Sequence, residues 1–246
     1  MTLGQLADMV IRPRAIHTED KEKRYHAILR AAERLLLRST GRDASMAQVA
    51  AEAGLAKGTV YLYFSSKEEL LLALFERNID SFFAALTGML EGSAPLGIDP
   101  ILALMRRKMV ELPLLLPLAG RCLGWFGQSV PVEAARAFNE GMAGRLERAG
   151  LGLERHFHAL RTGDGVALLR HSYALILGFW QTRQGAATPC APRPSGTAID
   201  DHAAAFARSC AQSLERALRA LWEGTLYRDG SRAARRAPKT RSDGAV

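Results

Sequence analysis

The chain has 246 residues, 48% hydrophobic and 24% charged, the balance of an ordinary globular protein with enough length for one large or two small domains. No uncharged apolar run approaches the roughly 18–20 residues of a membrane span, and the opening MTLGQLADMVIRPR lacks the pattern of a signal peptide. Three scattered cysteines, Cys122, Cys190 and Cys210, show no metal-ligand spacing and fit a reducing cytoplasm.

The net charge of +8 is unevenly spread: residues 1–92 hold twelve basic and twelve acidic side chains, residues 93–227 fifteen and eleven, and the tail 228–246 six and two. Bulk basicity therefore says little about nucleic acid, and local placement has to carry any such conclusion. Residues 1–18, with Arg12 and Arg14, lack clear periodicity and read as a flexible extension. From Glu19 a helix is predicted, because Tyr25, Ile28, Leu29, Ala32, Leu35 and Leu36 recur at three- and four-residue steps. Thr18 stands at its N-cap and Gly41 at its end.

Ser45 then caps a short helix, MAQVAAEA, that stops at Gly54, where a departing chain needs positive φ. The next stretch, Lys57 to Lys67, reads KGTVYLYFSSK. Its β-branched and aromatic content is that of a buried strand, but it lies between helical segments, and a lone strand has no ladder partner. A helix, a tight glycine turn and a second helix of about two turns resolve the conflict. Val60 and Phe64 then face a core shared with Val49, Ala50, Ala53 and Leu55. Lys57, Thr59, Tyr61 and Tyr63 point outward, and Gly58 lets a DNA backbone or base edge come close. Phosphate suits a helix N-terminus, tyrosine hydroxyls suit phosphate oxygens, and Thr59 suits a thymine methyl.

Ser66, followed by Glu68 and Glu69, opens a long connecting helix to about Leu90. Beyond Gly92 come Leu/Ala-rich helices at about 98–111, 113–128, 131–160, 164–185 and 199–224. Pro113 and Pro131 suit first turns, and Asp164 or Thr162 a cap. Residues 186–198, rich in Pro and Gly, read as a loop, and 228–246 as a disordered basic tail. Glu154, His156 and His158 do not form a metal set. No metal, cofactor, nucleophile motif or phosphate loop is expected, so an enzyme in the C-terminal helices is the weaker rival. A nonspecific binder acting through the tail is another.

The run from Gly54 to Leu70, with the preceding Met46–Ala53 and the first helix, resembles the DNA-binding signature of the tetracycline-repressor (TetR) family. The likeness is specific over about residues 19–80. It implies an all-α protein with a three-helix helix-turn-helix domain, 19–66, joined to a larger helical ligand-binding and dimerisation domain, 67–227. It also implies a homodimeric regulator, usually a repressor, that leaves duplex operator DNA when a small molecule binds. Carried over by position, Ser45 would meet a phosphate. Lys57, Gly58, Thr59 and Tyr61 would face the major groove, and Tyr63 and Lys67 would clamp the backbone.

For the inducer cavity, Met105, Met109, Trp125, Phe126, Phe138, Met142, Phe179 and Trp180 are candidate lining residues, each equally consistent with a packed core. Few charges accompany them, so a hydrophobic compound is favoured. For the dimer, Tyr173 and Leu177 of one helix and Phe206, Leu214, Leu218 and Leu221 of the next are expected to form half of an intersubunit four-helix bundle.

Overall fold

The computed structural model describes residues 3–38, 44–92, 95–125, 130–187 and 198–227, with side chains placed over these stretches except 3–19, 123–125, 184–187 and 198–211. Gly41, most of the 186–198 loop and the basic tail lie outside the described residues. All regular structure among the described residues is helical. Two compact units are present: one takes the chain through Ile79 and then Leu112–Phe138, the other Asp80–Glu111 and the chain from Asn139 onward.

The first unit begins with α1, Leu3–Arg38. The segment 1–18 was expected to be a loose extension, but helical backbone starts at Leu3, so Thr18 is an interior residue and not an N-cap. Once a packed helix exists, each added residue gains a hydrogen bond at little nucleation cost. Gly4 and Pro13 are the only breakers before Thr18. Ile28, Leu29, Ala31 and Ala32 are buried, which realises the predicted stripe.

α2 spans Met46–Ala53, α3 Lys57–Tyr61 and α4 Lys67–Glu91. Met46, Val49 and Ala50 of α2, Val60 of α3, and Phe64 beyond it complete the core with α1. Tyr25 stacks on Phe64 with ring centroids 5.1 Å apart. Leu70, Leu71, Leu74 and Phe75 bury the first half of α4. Ion pairs fasten the periphery. Glu52 of α2 holds Arg34 at 2.7 Å and also Arg38, while Arg77 of α4 reaches Glu33 at 2.6 Å. α6, Leu115–Trp125, starts two residues past Pro113 and buries Leu115, Leu116, Leu118, Ala119 and Cys122. Burial pushes the Cys122 thiol up to about 12, so it behaves as a small apolar side chain.

The second unit holds the end of α4, α5 (Ile98–Met105) with a π-helical turn over Arg106–Val110, most of α7 (Val132–His156), α8 (Asp164–Ala187) and α9 (Ala198–Leu226). Helices α7 and α8 touch through glycines: a Cβ on Gly165 would lie 2.3 Å from the Gly150 oxygen. Glu154 of α7 accepts hydrogen bonds from the Gly163 and Gly165 amides at 2.8 and 3.0 Å. A carboxylate borrowed from the preceding helix thus serves the positive end of α8. The sequence pointed to Asp164, which instead accepts from the Arg161 amide at 3.1 Å. His156 accepts from the Leu96 amide at 2.9 Å, so two of the three residues weighed above as metal ligands, Glu154 and His156, hold backbone amides. Between α8 and α9, the fully buried Trp222 donates its indole N–H to Ser172 Oγ at 3.0 Å, and Ser172 donates to the Leu168 carbonyl at 2.8 Å.

Candidate nucleic-acid interface

The helix-turn-helix is built by two capping devices and one turn. Ser45 and Gln48 form a reciprocal cap at the start of α2. Ser45 Oγ accepts from the Gln48 amide at 3.3 Å, and Gln48 Oε1 accepts from the Ser45 amide at 2.8 Å. The same Oε1 also lies 3.0 Å from the Ser45 hydroxyl. The hydroxyl that the sequence offers to a phosphate is therefore engaged with Gln48 in the free protein.

At the other end of α2, Gly54 has φ +67°, and the Leu55 amide bonds back to the Ala50 carbonyl at 2.9 Å. This left-handed cap turns the chain through the space between α2 and α3. The second capping device opens α4. Ser66 Oγ accepts from the Glu69 amide at 3.0 Å, and the Glu69 carboxylate accepts from the Ser65 amide at 2.7 Å.

Between these devices lies α3. It ends at Tyr61, two residues earlier than expected, because its last turn tightens. The Leu62 amide bonds to the Thr59 carbonyl at 3.2 Å and the Tyr63 amide to that of Val60 at 3.0 Å. The strand-like residues of this stretch sort by face. Val60 is 0% exposed and Phe64 2%, whereas Tyr61 is 44% and Leu62 83% exposed. Lys57 and Gly58 are exposed, and Thr59, Tyr63 and Lys67 are half-buried. Lys57 Nζ sits 5.8 Å from the centre of the Tyr61 ring, one helical turn away on the same side. A Cβ on Gly58 would meet no heavy atom within 4 Å.

Ser45, Lys57, Gly58, Thr59, Tyr61, Tyr63 and Lys67 thus all belong to the helix-turn-helix segment and the start of α4, and none is sealed in the core. Thr59 and Tyr63 are half-buried and so less open than expected. Leu62, four residues after Gly58, is also displayed on this segment.

The other two residue sets fare differently. Met105 and Met109 are buried in the second unit, where Met142, Phe179 and Trp180 are half-buried. Phe138 lies in the first unit, its ring 5.8 Å from that of Phe75. The Trp125 side chain and Phe126 lie outside the described residues. None of these residues lines the groove of about 380 Å³ in the second unit. That groove is walled by Leu102, Val110, Leu214 and Leu218 and rimmed by Arg106 and Arg219, the latter 2.6 Å from Asp99.

In the expected dimer set, Leu177, Leu214 and Leu218 are 7%, 7% and 5% exposed within the single chain. They fill its own core, and side chains already buried this way contribute little new area to a partner. Tyr173 and Leu221 are half-buried, and the Phe206 side chain lies outside the described residues. The open sides of α8 and α9 instead present Ala174, Gly178, Ala220 and Gly224. Apolar periodicity on α9 marks a buried face without saying what buries it.

Comparison with known proteins agrees with this geometry. The family model described as "Bacterial regulatory proteins, tetR family" matches residues 28–74, and that of the "Tetracyclin repressor-like, C-terminal domain" matches residues 76–229. The chain is 33% identical over 64 residues to the fatty acid metabolism regulator protein of Bacillus subtilis (strain 168), which is 26% of this chain and 33% of that one. It is 40% identical over 62 residues to the HTH-type transcriptional regulator YfiR of the same organism, 25% of this chain and 30% of that one. The chain thus spans about a third of the length of these relatives.

Among solved structures, a TetR-family transcriptional regulator from Mesorhizobium loti MAFF303099 aligns at 20% identity, over 78% of this chain and 96% of that one, with a TM-score of 0.45. A transcriptional regulator from Streptomyces coelicolor A3(2) aligns at 20% identity, over 78% and 97%, with a TM-score of 0.38. With one model on the helix-turn-helix unit and another running from α4 to residue 229, the chain belongs to the TetR family of bacterial regulatory proteins.

Proposed function

We propose that the chain is a cytoplasmic homodimeric repressor, bound to a near-palindromic operator through two copies of α3 and released by a small hydrophobic inducer. The observation that carries this reading is the division of one short segment into a buried and a displayed face. Val60 and Phe64 anchor it, and Lys57, Gly58 and Tyr61 are presented together. In this reading Gly58 and Thr59 approach base edges, and Lys57 and Tyr61 lie along the groove. Tyr63, Lys67 and Ser45, once its hydroxyl leaves Gln48, hold phosphates.

Two such helices fit successive major grooves when a dimer holds them about 34–36 Å apart. The small, exposed residues Ala174, Gly178, Ala220 and Gly224 support a dimer face on α8 and α9, because they allow two backbones to come close. An inducer acts only through unequal affinity for the DNA-competent and incompetent states. Helix α4, which contributes residues to both units, is the natural route between reader and sensor.

The test is fluorescence anisotropy on a duplex selected by the protein from a random library. Tyr61→Ala is expected to lose the selected duplex while its helical circular dichroism and sedimentation stay unchanged. Retained affinity would take Tyr61 out of the contact surface, and monomers in wild-type sedimentation would remove the dimer.

A further inference from the structure

Leu62 is the most exposed of the large hydrophobic side chains among the described residues, at 83%. It follows α3 directly, with its backbone still helical at φ −72° and ψ −19° and its amide tied to the Thr59 carbonyl. Its side chain is thus held outward by an ordered backbone. A single exposed leucine is ordinary on a protein surface, and three further facts make this one different.

The first is its register. Leu62 stands four residues after Gly58 and so lies one turn further along the same side of the segment. A Cβ on Gly58, as on several other surface glycines, would meet nothing within 4 Å, so this side is open for another molecule to come against the backbone. The second is its neighbour: Tyr61, the adjoining displayed side chain, is 44% exposed and carries Lys57 over its ring. A duplex that meets Lys57, Gly58 and Tyr61 therefore also meets Leu62. The third is chemistry. A leucine side chain offers no donor, acceptor or charge, so it gains nothing from a phosphate or a base amide. The apolar group on the major-groove edge is the thymine 5-methyl.

We infer that Leu62 is a specificity-determining residue that packs on a thymine methyl in the major groove of the operator. This rests on the DNA-reading role proposed for α3 and adds to it a particular atom of a particular base. The contact removes one methyl and part of one leucine from water, so its loss weakens binding about fourfold per half-site. It makes operator choice at that position depend on a methyl group and not on a hydrogen bond.

The experiment uses full-length protein and the duplex it selects from a random-sequence library. Each thymine of one half-site is replaced in turn by deoxyuridine, which deletes the methyl and keeps every hydrogen-bonding group. Wild type is expected to lose about fourfold in affinity at one such position. Leu62→Ala, whose fold should be untouched at so exposed a site, is expected to bind the thymine and deoxyuridine duplexes equally there. If a duplex is selected and bound but no methyl effect depends on Leu62, the inference is overturned and the proposed function stands. If no duplex is selected at all, the proposed function falls and this inference with it.

Discussion

Replacing Gly58 by alanine separates folding from DNA recognition at one atom. The residue lies inside α3, its φ is not in the left-handed region, and the added Cβ meets no heavy atom within 4 Å. Nothing in the folded chain requires glycine there. Alanine narrows the unfolded ensemble and favours helix, so Gly58→Ala should stabilise the protein by about 0.5–1 kcal/mol. For a chain of this length, that raises the melting temperature by about 1–4 °C.

The same methyl group projects into the space assigned to DNA. A base edge or sugar held at van der Waals distance from a glycine Cα has no room for it, and the duplex must shift away along the whole segment. Losing even one good base contact costs about 1–3 kcal/mol, so affinity for the selected duplex should fall at least tenfold. Differential scanning calorimetry and anisotropy titration on one preparation read both effects. A stabilised variant with unchanged affinity would remove Gly58 from the interface. A destabilised variant would show that the backbone, not a partner, requires the glycine.

Other substitutions test the supports of the site. Gly54→Ala forces a Cβ into a left-handed cap at φ +67° and should cost about 1–2 kcal/mol in thermal or urea unfolding. Glu52 carries a carboxyl held below its ordinary value of 4.5, first by its hydrogen bond to Arg34 and then by that to Arg38. A depressed folded-state value means that protons favour the unfolded chain. The contribution is therefore complete above about pH 4.5 and fades as pH falls below it. Glu52→Gln should flatten that acid limb of the stability–pH curve relative to wild type. Ser172→Ala leaves the indole N–H of a fully buried Trp222 without its acceptor, and should cost about 1–3 kcal/mol by urea denaturation.

Much of the reader could be seen in the residues, because local chemistry fixes its ends. Ser45 with Gln48, Gly54, and Ser66 with Glu69 are short-range devices whose partners lie within four positions, so spacing alone exposes them. The strand-like run 59–64 was the hard case. Its composition was outvoted by the helices around it, and the observed faces of Val60 and Tyr61 show tertiary packing overriding propensity. What escaped was set by contacts distant in sequence. Glu154 reaches α8 from α7, Trp222 finds Ser172 fifty residues away, and Leu214 and Leu218 border a groove with Leu102 and Val110. The start of α1 escaped for a different reason, since the stretch before Glu19 has no apolar stripe and carries Gly4 and Pro13, which argue against helix. Leu62 carries neither a hydroxyl nor a charge, so its residue type alone marks no DNA contact, and only its exposure in the fold draws it out.

The most direct measurement is a photo-cross-link from position 61. Full-length protein carrying a benzophenone amino acid in place of Tyr61 would be irradiated on its selected duplex. Adducts should map to bases within one major groove of each half-site and vanish with excess unlabelled duplex. Adducts confined to protein, with none on DNA at saturating duplex, would contradict the assignment of the exposed side of α3 to DNA.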